Sequence, residues 1–336
     1  MTEDSLVAAL REICEARASD ASPGPRKIVL GIGDDAAAWQ PSRSHLSVIT
    51  TDALVDGVHF RAAEMDAGEI GHRAMAANLS DIAAMGARPV LATIALGIAP
   101  ETGEAWVLAC YRAMDALVAR FGARIVGGDI VRAPALVLAI TLVGEVSRTR
   151  CKPRSGGRAG DVIAVTGPLG ASRAGLELLN HAWPIAAEAR ARATQAFAMP
   201  IPRIAEGRFF AASANVRAMM DCSDGLSSDL ARLARASGCG AVIEDVPIDF
   251  AAESVARAAG GEARAYALDG GEDFELIVTI APRAFAHVAR AYERHFGKPL
   301  HRVGTLTAEP GLRIAEGTVT RDLVANGFDH LALQRT

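Results

Sequence analysis

The sequence predicts two mixed α/β domains joined in series, and three observations carry that prediction. The chain has 336 residues and half of them are apolar, enough for two cores of ordinary size. Its first half alternates β-rich runs with segments of helical period. The stretch SRTRCKPRSGGRAGD (147–161) then breaks both periods, and the alternation restarts beyond it.

Taken in order, Leu6, Leu10 and Ile13 predict an amphipathic helix at the N-terminus. The same segment lacks the basic start and apolar core of a signal peptide. KIVLGI (27–32) and LSVITT (46–51) predict strands, each ending at a turn that bears a carboxylate. An Ala-rich helix follows over 67–85, with Ile70, Ala74, Ala77 and Asp81 near one face. A strand at 90–97, a helix over 101–121 and strands at 124–131 and 135–146 complete a first domain, residues 1–146. The second domain, 147–336, restarts with DVIAVTG (161–167) and helices over 170–181 and 185–196. Strand–turn–helix units at 216–237 and 241–259 precede a strand FELIVTI (274–280), a helix over 283–296 and a short strand HRVGTL. No fixed-period repeat is present.

Composition excludes several classes. With 35 basic and 39 acidic residues the chain is mildly negative, which argues against a protein built to hold nucleic acid. The five cysteines are scattered without a CxxC, so they read as reduced thiols of a cytoplasmic protein rather than a disulfide framework or a zinc site. No long uncharged apolar run predicts a membrane span.

Six short stretches share one design, an acidic residue flanked by Gly, Ser or Thr. They are GIGDD (31–35), TTD (50–52), NLSD (78–81), GGD (127–129), DCSDG (221–225) and GGED (270–273). Small neighbours let a carboxylate and the backbone approach a ligand closely. Mg²⁺ takes oxygen ligands and commonly bridges one or two carboxylates to substrate phosphates. Alone, each motif is more often a turn. Asp224 could simply cap a helix over Leu226–Ala236, and Asp81 could be a solvated helix residue. Recurrence shifts the balance, together with the expectation that most of these motifs fall at the carboxyl ends of strands, where ligand sites of α/β folds gather. The chain lacks GxxxxGK[ST], HRD and DFG, HExxH and GxSxG, so nucleotide phosphates would have to be handled mainly through metal ions.

The ordered set GIGDDAA, TTDALVDGVHF, NLSDIAAMGARP, GGDIVR, TRCKPRSG, TGPLG, DCSDGLSSDL and GGEDFEL, ending in GFDH, resembles the thiamine-monophosphate kinase family. That family shares a fold with aminoimidazole ribonucleotide synthetase. The resemblance implies an N-terminal α/β domain that binds ATP and Mg²⁺ and pairs through its strands in a homodimer. It also implies a C-terminal domain that completes the active-site cleft. The implied reaction is phosphorylation of thiamine monophosphate by ATP, by direct in-line transfer with several Mg²⁺ ions.

Motif by motif, the resemblance implies Asp35, Thr50, Thr51, Asp52, Asp81, Asp129, Asp221 and Asp224 as Mg²⁺ ligands. It implies Gly128, Asp129, Arg154 and Ser223 as ATP contacts, with Tyr111 a further candidate, and His59, Glu272 and Phe328 as thiamine phosphate contacts. Asp129 and Arg154 are the pair closest to the chemistry. Arg154 lies in an Arg-rich turn suited to bidentate phosphate contacts. Glu272 could pair with a cationic ring, and Phe328 offers a face for stacking. Two alternatives stay open: another ATP-using member of the same fold group, and a non-catalytic Mg-nucleotide binding protein.

Overall fold

The structure, a computed structural model, describes residues 3–16, 28–30, 32 and 36–327. It resolves into two compact units, Met1–Cys151 and Lys152–Thr336.

The first unit runs α1 (Glu3–Ala16), β1 (Ile28–Leu30), β2 (Ala38–Trp39), β3 (His45–Val55), α2 (Ala67–Ala84), β4 (Arg88–Ile98), α3 (Glu104–Ala119), β5 (Arg124–Arg132) and β6 (Val137–Ser147). A four-stranded sheet has the order β3-β6-β4-β5, antiparallel except for the parallel β4–β5 pair. Along β3 the pleat alternates, with Val48, Thr50 and Asp52 partly buried and Ile49, Thr51 and Ala53 exposed. The buried face packs against α2, which also packs on α3. Asp66 is the N-cap of α2, and the Glu69 carboxylate reaches back to the Asp66 N–H at 3.1 Å. Small residues leave α2 buried on almost every side, so its composition reflects close packing on two neighbours. In α1, Leu6, Leu10 and Cys14 are buried, the face expected of an amphipathic helix.

The second unit runs β7 (Val162–Val165), α4 (Ala171–Asn180), α5 (Ala187–Ala198), α6 (Ile204–Ala211), β8 (Val216–Asp221), α7 (Leu226–Ala236), β9 (Gly240–Ile243), α8 (Phe250–Ala258), α9 (Ala263–Asp269), β10 (Leu276–Ile280), α10 (Phe285–Phe296), β11 (His301–Thr307), β12 (Leu312–Glu316) and β13 (Val319–Asp322). A seven-stranded sheet has the order β13-β12-β9-β11-β7-β10-β8, with β9–β12 parallel and the other pairs antiparallel. Leu226, Leu230 and Leu233 of α7 join Ile163, Val165, Met220 and Ile277 in one core cluster.

The compact units divide after Cys151, inside the 147–161 break. Arg150 N donates to Ser147 O and ties the turn to the end of β6, whereas Lys152 Nζ donates to Ser213 O and Val216 O of the second unit. Two expected strand limits are corrected. The strand at 46–51 does not end at its carboxylate but continues through Asp52 to Val55. The strand expected from residue 274 starts at Leu276, because Glu272 (φ 57°) and Phe274 (φ 51°) adopt left-handed backbone that no ladder accommodates. Two short helices, α6 and α9, lie outside the expected elements; at 8 and 7 residues they are too short for a periodic signal.

Candidate active site

In the first unit two sequence motifs meet where β3 lies against α2. Alternation puts the Thr50 and Asp52 side chains on the face toward α2, and Asn78 and Asp81 stand one turn apart on that helix. Thr50 Oγ1 donates to Asp81 Oδ2, and Asn78 Oδ1 accepts the Asp52 N–H at 3.1 Å. Asp81 is therefore a partner of the strand, not a solvated helix residue. This donor set is all oxygen, two aspartates and a hydroxyl, which fits a hard cation that keeps waters and phosphates in its shell.

Thr51 and Asp129 lie on the opposite, open face. Thr51 Oγ1 donates to Ile140 O at 3.0 Å and accepts from Thr141 Oγ1 at 3.3 Å. Asp129 pairs with Ala95, which pairs with Ala139, which pairs with Ala53. It therefore sits three strand spacings from β3, roughly 14 Å. Asp129 was expected to close its strand; it lies inside β5, and its carboxylate accepts the Ile130 N–H at 3.0 Å. Gly128, Asp129 and Tyr111 line one cavity of about 120 Å³, with Val7, Leu10 and Ile32. Burial pushes the Tyr111 phenol well above its usual range, so it stays protonated. Gly128 has a packing reason of its own: a Cβ would stand 2.0 Å from Ile94 O across the β4–β5 pair.

His59 lies in the turn after β3, where its Nδ1 accepts the Val55 N–H at 3.1 Å. A neutral ring then carries its proton on Nε2.

The second unit brings DCSDG and GGED together through the backbone. Asp221 is the last residue of β8 and pairs with Leu276. Glu272 N donates to Ser223 O at 2.7 Å, and Phe274 N to Cys222 O at 2.9 Å. A Cβ on Gly271 (φ 70°) would stand 2.7 Å from Ser223 O, so glycine is required where the two loops touch. Left-handed backbone at Glu272 and Phe274 is the kind of local strain that concentrates at functional sites. Asp224 does not cap α7, whose N-cap is Gly225. Its Oδ2 accepts from Arg232 Nη1 instead. Arg154 opens a 3-10 turn over Arg154–Gly156, where its side chain is exposed and its carbonyl accepts from Ser237 Oγ at 2.7 Å.

Behind GGED lies an enclosed charged cluster. Arg203 is bidentate to Glu275, with Nη2 at 2.5 Å from Oε1 and Nε at 3.0 Å from Oε2. Burial pushes the Glu275 carboxyl up, but Arg203 outweighs it and holds the group below its usual value. Asp273 accepts the Gly170 and Ser172 N–H groups at the start of α4, at 2.8 and 3.3 Å. The residue keeps some surface, yet its carboxyl is enclosed, and burial pushes it up to about 7.

Of the carboxylates expected at carboxyl ends of strands, only Asp221 among the described residues stands there. Asp52 and Asp129 are within strands, Asp81 is helical, and GGED precedes its strand. Asp35 and Phe328 lie outside the described residues. Among the described residues no group of three or more His, Cys, Asp or Glu side chains forms a metal shell by itself. Asn78, Asp229 and Asp273 were not singled out from sequence. Asp229 carried a signal, since it sits three residues after Leu226 on the apolar stripe of α7.

The sequence matches the AIR synthase related protein N-terminal domain over residues 33–146 and its C-terminal domain over 158–316. It is 36% identical over 309 residues to thiamine-monophosphate kinase of Synechococcus elongatus, covering 89% of this chain and 90% of that one. The Escherichia coli K12 thiamine-monophosphate kinase is also 36% identical, with 91% and 93% covered. The crystal structure of thiamine-monophosphate kinase from Stenotrophomonas maltophilia superposes with a TM-score of 0.80 at 34% identity, covering 91% and 95%. The structure of AaThiL complexed with AMPPCP and TMP gives 0.75 at 27% identity, with 94% of each chain covered. Escherichia coli HypE, at 20% identity and a TM-score of 0.79, shares the fold.

Proposed function

The chain belongs to the thiamine-monophosphate kinase family of AIR synthase related proteins, and from that premise we propose that it transfers the γ-phosphoryl group of ATP to thiamine monophosphate, giving ADP and thiamine diphosphate. The observation that carries the reading is its likeness, along 94% of both chains, to a protein crystallised with an ATP analogue and TMP.

The chemistry asks the protein for position and charge neutralisation rather than a strong base. The nucleophile is an oxygen of the substrate's phosphate, whose second pKa of about 6 leaves it mostly ionised at neutral pH. Mg²⁺, when bound, would supply the positive charge that offsets the phosphates. Thr50, Asp52 and Asp81, already gathered at the β3–α2 contact, would hold one such ion, and Asp35, Thr51, Asp129, Asp221 and Asp224 are the candidates for others. Gly128, Asp129 and Tyr111, lining one cavity, together with Ser223 and Arg154, would bind the nucleotide. His59 Nε2–H would donate to the substrate phosphate, and Glu272 and Phe328 would take its cationic ring.

A homodimer belongs to the same reading. The open sheet face carries Ile49 at 71% and Val131 at 51% exposure among Ala53, Ala95 and Ala139, a surface of small and apolar groups that a second copy would cover. The unpaired thiols of Cys14, Cys110, Cys222 and Cys239 support a reducing compartment, the cytoplasm. Among the described residues, no helix is long and apolar enough to cross a membrane.

The test is product chromatography with ATP, Mg²⁺ and either thiamine monophosphate or free thiamine. The expected result is ADP and thiamine diphosphate in equal amounts from the first, and neither from the second. ADP release that ignores thiamine monophosphate, or phosphorylation of free thiamine, refutes the assignment.

A further inference from the structure

The Ser223–Asp224 turn is gripped from two sides, and one grip comes from a residue with no part in the reaction described above. Asp229, in the first turn of α7 and 0% exposed, accepts the Ser223 and Asp224 N–H groups through Oδ2, both at 2.9 Å. Its Oδ1 accepts from Arg232 Nη1 at 2.8 Å, and the same Nη1 donates to Asp224 Oδ2. From the other side, Glu272 N donates to Ser223 O at 2.7 Å. One carboxylate thus fixes the peptide planes of Ser223 and Asp224 and also anchors the guanidinium that orients the Asp224 side chain.

A buried carboxylate on the apolar stripe of a helix is an expensive way to hold a turn. Burial pushes its pKa up to about 6, and the two N–H bonds and Arg232 only partly reverse that. Gly225 begins the helix without any side-chain cap, so capping α7 does not account for Asp229. What the residue controls is where Ser223 and Asp224 point.

We infer that Asp229 is a positioning residue for the nucleotide–metal contacts of Ser223 and Asp224, an inference that rests on the functional reading above. Misplacing such contacts by about 1 Å costs on the order of 10²-fold in rate.

The experiment measures Mg²⁺-dependent binding of a fluorescent non-hydrolysable ATP analogue, together with kcat and the KM for thiamine monophosphate. It is run where circular dichroism shows each variant folded. In Asp229→Ala the Mg²⁺ midpoint should rise roughly 10-fold and kcat fall roughly 10²-fold, with KM for thiamine monophosphate within about 3-fold. Asp229→Asn keeps an oxygen for the two N–H groups but turns an amide NH₂ toward Arg232. It should recover most of kcat, with a midpoint still about 3-fold high. A folded Asp229→Ala variant with the wild-type midpoint and kcat overturns the inference and leaves the functional reading intact. If Asp229→Ala does not fold, Asp229→Asn decides alone, and a wild-type midpoint there overturns it. Wild-type protein that binds the analogue without regard to Mg²⁺ overturns both.

Discussion

Replacing Asp129 by Asn removes a charge from the middle of β5 while preserving the bond its carboxylate makes among the described residues. That bond is the Ile130 N–H to Oδ1 at 3.0 Å, and an Asn oxygen accepts it equally well. Asp129 is exposed on the open sheet face and fills no core, so its loss in the ligand-free protein should change stability by no more than about 0.5 kcal/mol. Ligand changes the comparison. At a concentration 100-fold above its Kd, Mg·ATP stabilises the wild type by about 2.7 kcal/mol. For a unit the size of Met1–Cys151 this is a rise in Tm of roughly 5–10 °C. The Asn variant should lose most of that rise, and its turnover should fall by about 10²-fold as a charged Mg²⁺ ligand is lost. Melting curves with and without Mg·ATP analogue, and turnover at a temperature where both proteins are folded, make the measurement. A variant destabilised by more than about 1 kcal/mol without ligand, yet turning over normally, would show that Asp129 serves the strand and not the site.

Two further outcomes follow from the enclosed cluster of the second unit. Arg203→Ala leaves Glu275 buried with Thr166 Oγ1 at 2.5 Å but without its bidentate partner, and should cost about 3–5 kcal/mol in denaturant melts. A loss under about 1 kcal/mol would contradict that account. Asp273, pushed up to about 7 from the 3.8 of an exposed group, binds more protons folded than unfolded between those pH values. Wild-type stability should therefore fall as pH rises from about 4 through 7, by on the order of 1–4 kcal/mol. Asp273→Asn should flatten that slope, and an unchanged slope in melts at pH 5 and pH 8 would exclude Asp273 as its source.

The strand and helix order was legible wherever a period ran long enough. The alternation along β3 and the Leu6–Leu10 face of α1 were both in the residues, and the SRTRCKPRSGG break marked the junction to within a few positions. The ordered carboxylate motifs carried the family, because their order and spacing together are specific where each motif alone is not.

What the residues could not carry was side and register. Thr50, Thr51 and Asp52 are adjacent in sequence, yet the pleat sends Thr51 to the open face and its neighbours toward α2. Pairing across four strands then sets Asp129 three strands from Ala53. Strand pairing depends on contacts far apart in the chain, to which local propensity is blind. The same holds for Asp229 and Asp273, which sit inside quoted motifs but gain their roles only when the Ser223–Asp224 turn and the start of α4 present N–H groups to them. Sequence alone determined which chemical groups the protein carries and in what order. Only the folded backbone decided which of them meet, because a buried carboxylate takes its partners from whichever donors the tertiary structure brings within 3 Å.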